Sequence, residues 1–202
     1  MPYFLKTASI GLVFAAVIGG IAVIWPVLDA RAEATAANTP PALASDSKYQ
    51  TNTVKASVPG TVREVRAFFD SNPITDYLMP TDAIPAITGI TYLSGDWPEV
   101  GAVRQVQLAG GFTVHERVLI NRQDQFTYQI WDITAPAGRY IDHIKGEFRY
   151  EQNGDTVDVT WDYNIKPGIF VARPFIRRYL NNDFGPFMQG GMQGIVGAYT
   201  SR

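Results

Sequence analysis

The chain has no cysteine, which removes disulfides, thiol nucleophiles and thiolate metal ligands from consideration. Histidine is nearly as scarce: there are two, His115 and His143, neither with a second histidine at ligand spacing, so no metal site is expected. Charge of either sign is sparse, at 18% of residues, and the formal net charge is −2. A nucleic-acid binder needs a basic face interleaved with aromatics; the sequence shows none, so nucleic acid is not an expected partner. Also missing are a nucleophile elbow for Ser/His/Asp catalysis and a glycine-rich phosphate loop. Gly110-Gly111 reads as a hairpin, and Gly190-Gly191 falls inside a helical pattern. No internal repeat is apparent and no cofactor is implied.

Charged side chains are absent altogether from Thr7 to Leu28. At about 1.5 Å rise per residue that run is long enough for a hydrocarbon core of roughly 30 Å, so residues 1–29 read as a membrane anchor or a signal peptide. Ala30-Arg31-Ala32 and Ala32-Glu33-Ala34 are small-x-small sites suited to cleavage. Lys6 precedes the run and Asp29, Arg31 and Glu33 follow it, which favours a cytoplasmic N-terminus. The expected location is therefore membrane-anchored on the periplasmic side of an inner membrane, or periplasmic after cleavage. Residues 30–47 are rich in Ala, Thr, Ser and Pro, the composition of a flexible linker. Residues 48–202 are left as one domain, and the 46% hydrophobic content is ample for a core.

Within that domain, Gly101 to Lys166 alternates apolar and polar residues between turn signals, the pattern of successive antiparallel hairpins. Ala109-Gly110-Gly111 suits a three-residue connection, and counting outward pairs Leu108 with Phe112, Val106 with Val114 and Arg104 with Glu116. The last pair puts opposite charges on the apolar side, where an unpaired charge would be costly, so a buried or half-buried ion pair is expected. A looser turn at Arg122 to Gln125 sets Ile120 near Phe126, Val118 near Tyr128 and Glu116 near Ile130. Asn153-Gly154 reads as a type I′ turn that pairs Tyr150 with Val157, Phe148 with Val159 and Gly146 with Trp161. The opposite face carries Arg149, Glu147, Lys145 and His143, with His115 on the same parity, and is expected to be wet. Asp132 and Asp142 fall near strand ends and are expected to be solvated.

Before the hairpins, Tyr49 to Val58 suits a strand, Thr61 to Asp70 a helix, Ile74 to Met79 a short helix and Ile87 to Leu93 a strand. At the other end, Met188, Met192, Ile195, Val196 and Tyr199 recur at helical spacing, with a kink expected at Gly185-Pro186. Arg173, Arg177 and Arg178 lie close to Phe170, Phe175 and Ile176, either as the wet side of a helix or against anionic headgroups.

Ser57-Val58-Pro59-Gly60, Gly101-Ala102-Val103-Arg104, Gly110-Gly111, Val114-His115-Glu116-Arg117-Val118, Tyr128 and the Met/Gly-rich terminal helix resemble the START-like superfamily. That superfamily is also called SRPBCC or Bet v 1-like, and the likeness is to its bacterial polyketide cyclase/dehydrase and lipid-transport members. It covers the chain from about Tyr49 to Tyr199 and implies an α+β helix-grip fold, a curved antiparallel sheet wrapped around a long C-terminal helix. It also implies a hydrophobic cavity between sheet and helix. The ligand-binding set expected from it and from face parity is Arg104, Phe112, Val114, Glu116, Val118, Tyr128, Phe148, Trp161, Tyr163, Met188 and Met192. Gly190, Gly191, Gly194 and Gly197 are expected to leave volume beside the helix, with an entrance near Trp97 and Thr134 to Arg139. No catalytic residue carries over from a member enzyme. The expected function is membrane-tethered binding or transport of a hydrophobic small molecule, lipid-like or polyketide-like. Two alternatives stand beside it: a cyclase or dehydratase using Glu116 or Asp142, and a protein interaction module with a filled core.

Overall fold

The computed structural model describes residues 39–202. The expected anchor or signal and the first half of the expected linker lie outside the described residues. Among the described residues no helix is long and apolar enough to cross a membrane.

Seven strands form one antiparallel sheet: β1 (Gln50–Pro59), β2 (Ile87–Ser94), β3 (Val103–Leu108), β4 (Phe112–Asn121), β5 (Gln125–Trp131), β6 (Ile141–Asn153) and β7 (Thr156–Pro167). Their order is β1-β7-β6-β5-β4-β3-β2, a meander from β2 to β7 with β1 returned to the far edge beside β7. The chain therefore has to cross the whole sheet between β1 and β2. It does so along the inner face with helix α1 (Val62–Ser71) and a 3-10 turn at Ile74–Tyr77. A capping box starts α1: the Thr61 hydroxyl accepts from the Glu64 backbone N–H, and the Glu64 carboxylate accepts from the Thr61 backbone N–H. Two further helices follow the sheet, α2 (Arg173–Tyr179) and α3 (Gly185–Thr200). Between them Leu180–Phe184 forms a π-helical turn. Pro186, in the first turn of α3, has no N–H to donate backward, which is the physical reason the ladder loosens there. The expected Gly185-Pro186 kink takes this form.

The β3–β4 hairpin has the expected register, Leu108 with Phe112, Val106 with Val114 and Arg104 with Glu116. In β4–β5 the pairs Val118 with Tyr128 and Glu116 with Ile130 also form, but an irregularity after Val118 pairs Ile120 with Thr127 instead of Phe126. The last hairpin departs from expectation. Asn153 pairs with Thr156, so the two-residue loop is Gly154-Asp155, and Phe148 meets Trp161 while Gly146 meets Tyr163. Gly154 has φ +59° and Asp155 is not left-handed, the sign pattern of a type II′ turn with glycine at its first central position. Every partner moves by two positions, an even step, so each side chain keeps its face.

The outer face is not uniformly wet. Gln129 and His143 are fully buried, and His115 and Trp131 nearly so. The segment preceding β1 accounts for part of this: Gln129 Nε2 donates to the Pro41 carbonyl at 2.8 Å, and the Tyr49 hydroxyl lies 2.8 Å from His143 Nε2. His115 stacks on Trp131 and stands 3.0 Å from Asp132. Asp132 and Asp142 are half-buried and paired rather than solvated, Asp142 with Lys166.

Candidate ligand cavity

Helix α3 packs chiefly over β1 and the α1 end of the molecule. Met188 illustrates the fit, fully buried with its sulfur 3.3 Å from Asn52 Nδ2 on β1. Because α3 sits at that edge, it leaves the inner faces of β2 to β6 uncovered, and α1 packs chiefly on β6, where Phe69 meets the Phe148 and Tyr150 rings. The 3-10 turn, the 81–85 loop and the α2–α3 junction stand over them instead and bound a cavity of about 840 Å³ that is open on one side to solvent. This lies in the range that holds a drug-sized ligand, roughly 300–1,000 Å³.

Eight of the expected residues line it: Arg104, Phe112, Val114, Glu116, Tyr128, Phe148, Trp161 and Tyr163. Val118, Met188 and Met192 do not. Val118 is buried in the sheet, while both methionines are buried in the packed core, Met188 against Asn52 of β1. The helix glycines do not create the volume either. A Cβ on Gly191 would come within 2.6 Å of Leu78, and one on Gly194 within 3.1 Å of Tyr77, so these positions let the 3-10 segment lie close against α3. Trp97 and Ala135 to Ala137 stand on the wall. Arg66, Phe126 and Tyr179 also line the cavity and were not anticipated; Arg66 sits on the buried side of α1, where an arginine at a core-facing helical position was the available signal.

The buried charged groups of the cavity are few and paired, while Asp76 and Asp82 line it at exposed positions. Arg104 Nε donates to Glu116 Oε2 at 2.7 Å, its Nη2 lies 2.7 Å from the same oxygen, and its guanidinium lies 3.8 Å from the Trp97 ring centre. This is the ion pair that cross-strand register requires. Arg66 is likewise committed, to Asp70, to Asn121 Oδ1 at 2.7 Å and toward the Phe126 and Tyr150 rings. Both cations on the wall thus face a carboxylate, and no uncompensated positive charge is left to receive an anion.

Two of the buried phenols on the wall have a proton to offer inward. Trp161 Nε1 donates to the Tyr128 hydroxyl at 3.2 Å, which leaves the Tyr128 proton free to be donated inward. Tyr163 lines the same wall, and its hydroxyl has no hydrogen-bond partner among the described residues. Burial pushes both pKa values well above the ordinary tyrosine range, and the Glu116 carboxylate adds to the effect, so both remain neutral donors. Gly146 makes room for this arrangement. A Cβ there would lie 2.1 Å from the Tyr128 ring, so only glycine lets that ring lie across β6.

No protein-family model and no curated protein matches the chain. Solved structures do match. The crystal structure of Ara h 8.0201 has 16% identity and a TM-score of 0.58, over 76% of this chain and 99% of that one. The Zhui aromatase/cyclase from Streptomyces sp. R1128 has 15% identity and a TM-score of 0.55, over 76% and 95%. Ginseng major latex-like protein 151 from Panax ginseng has 11% identity and a TM-score of 0.52, over 75% and 97%. The likeness to these structures, over nearly their whole length, is one of fold: an antiparallel seven-stranded sheet gripping a long C-terminal helix, the helix-grip arrangement expected from the sequence.

Proposed function

We propose that this protein binds a neutral, largely apolar small molecule of lipid-like or polyketide-like kind in its inner cavity, and that the uncharged segment Thr7–Leu28 keeps the domain at a membrane, with the domain on the extracytoplasmic side. The observation that carries the binding reading is the cavity itself, an aromatic and aliphatic chamber whose arginines are already neutralised by Glu116 and Asp70. Apolar burial supplies the affinity, and Tyr128 and Tyr163 offer hydrogen bonds to a carbonyl or hydroxyl oxygen of the ligand. A carboxylate ligand would lose its hydration without gaining a cation. A tether suits such a ligand because the ligand itself partitions into lipid.

Cyclase or dehydratase chemistry is less well supported. Glu116 is tied to Arg104, and Asp142 is paired with Lys166 away from the cavity, so neither acid stands ready to move a proton. The unfilled volume also disfavours an interaction module with a filled core. Organic extraction of the full-length protein purified from its host, followed by mass spectrometry, tests the proposal: a neutral lipid or polyketide at stoichiometric amount is expected. A long-chain fatty acid should displace a neutral aromatic ketone probe about tenfold less well than the corresponding alcohol, the factor for ~1.4 kcal/mol. Empty extracts together with no probe uptake would refute cavity binding.

A further inference from the structure

Sequence and structure set the corner between β7 and α2 apart from the rest of the surface. Phe170 is 79% exposed, Val171 66% and Phe175 47%, all within one turn-and-helix segment, whereas most large apolar side chains of this domain are buried. Exposed aromatics grouped in this way mark an interaction surface. Their charge surroundings say of what kind. Between Asp162 and Asp183 the sequence contains Lys166, Arg173, Arg177 and Arg178 and no acidic residue, in a chain whose formal net charge is −2. Lys166 is paired with Asp142, but none of the three arginines forms an ion pair among the described residues. Arg173 Nη2 donates to the Ser47 carbonyl at 3.0 Å, with its guanidinium 5.4 Å from the Phe170 ring centre, and Arg177 Nη2 donates to Gln50 Oε1 at 3.3 Å, so neither is offset by a carboxylate among the described residues.

We infer that this corner docks on an anionic lipid surface. Phe170, Val171 and Phe175 would enter the boundary between headgroups and acyl chains, and Arg173, Arg177 and Arg178 would meet the phosphates, the division of labour of an interfacial amphipathic segment. The Ser47 contact puts the chain that leads back to the uncharged run Thr7–Leu28 beside the same patch. Docking there also presents the cavity to lipid. Tyr140 packs on Phe175 with ring centres 4.7 Å apart, and Tyr140 ends the Pro136–Tyr140 turn, whose Pro136 and Ala137 form part of the cavity wall. Ligand would pass between bilayer and cavity at this side. The surface itself does not depend on what the cavity holds.

The absence of cysteine makes the test direct. Full-length protein carrying Val171→Cys, labelled with an environment-sensitive fluorophore, is reconstituted into vesicles of phosphatidylcholine alone and of phosphatidylcholine with phosphatidylglycerol. Val100→Cys, at a 64% exposed position on the loop before β3, serves as the control. A blue shift at position 171 that requires phosphatidylglycerol, with none at position 100, is expected. Arg177→Gln and Arg178→Gln should each lower the docked-to-undocked ratio about fivefold, the factor equivalent to about 1 kcal/mol per surface cation. Identical emission from position 171 in both lipids would overturn the inference. So would a blue shift in detergent without lipid, which would assign the patch to a contact between copies of the chain. Uptake of a neutral apolar probe, measured on the same vesicles, separates failure of docking from failure of cavity binding.

Discussion

The two faces of the sheet hide different things. The inner face keeps an unfilled volume among Phe112, Tyr128, Trp161 and Tyr163, bounded by a turn and loops, with phenol protons unclaimed. The outer face, which carries the polar parity of β5 and β6, seals Gln129 and His143 completely, the first against Pro41 and the second against Tyr49. Polarity of the side chains does not decide which face is dry. What decides it is the piece of chain that lies across, and how closely it fits. Where α3 joins the packed core, Met188, Met192 and Ile195 fill the space; a few strands away the inner face is open.

Truncation should separate the filled and open parts of the inner face most clearly. Met192→Ala is expected to cost about 2–5 kcal/mol by leaving a cavity in packed surroundings, whereas Phe112→Ala should cost less than about 1.5 kcal/mol because its ring already borders empty space. Urea denaturation of the two variants checks this, and equal losses would mean the cavity is not open in solution.

The outer face should report itself through pH. Burial holds His143 neutral with its pKa pushed down to about 4 from an ordinary 6.5; nearby Asp142 opposes the effect without cancelling it, and Lys166 and Arg117 reinforce it. The unfolded chain therefore binds a proton that the folded one refuses, so this group's stabilisation is complete above about pH 6.5 and is lost as the pH falls toward 4. Roughly 2–4 kcal/mol should disappear over that interval, and His143→Asn should flatten the dependence.

Gly191→Leu sharpens the distinction between helix packing and cavity. The new side chain meets Leu78 rather than the empty volume, so stability should fall by about 1–3 kcal/mol through overpacking while uptake of an apolar probe by the folded fraction is unchanged. Reduced uptake at full stability would instead place Gly191 on the cavity wall. The smallest effect expected is that of Tyr163→Phe. Loss of one hydrogen-bond donor should weaken ligand affinity by about 0.5–1.5 kcal/mol, measured by probe titration, with stability unchanged because the hydroxyl has no protein partner to leave behind.

Much of this arrangement was legible in the residues alone. Period-two alternation from Val103 to Pro167 and the glycines at the β3–β4 turn determined which side chains share a face, and so brought Arg104 opposite Glu116 and assembled eight wall residues. Even the misplaced β6–β7 turn did no harm to that assignment, since a two-residue slip preserves parity. Only the tertiary structure decided what lies over each face. The position of α3 above β1, the close approach of Leu78 to Gly191 and the strap that buries His143 all depend on contacts between segments distant in sequence. Local periodicity states the direction of a side chain, but the volume left in front of it is set by how two separate surfaces meet, and no single segment encodes that.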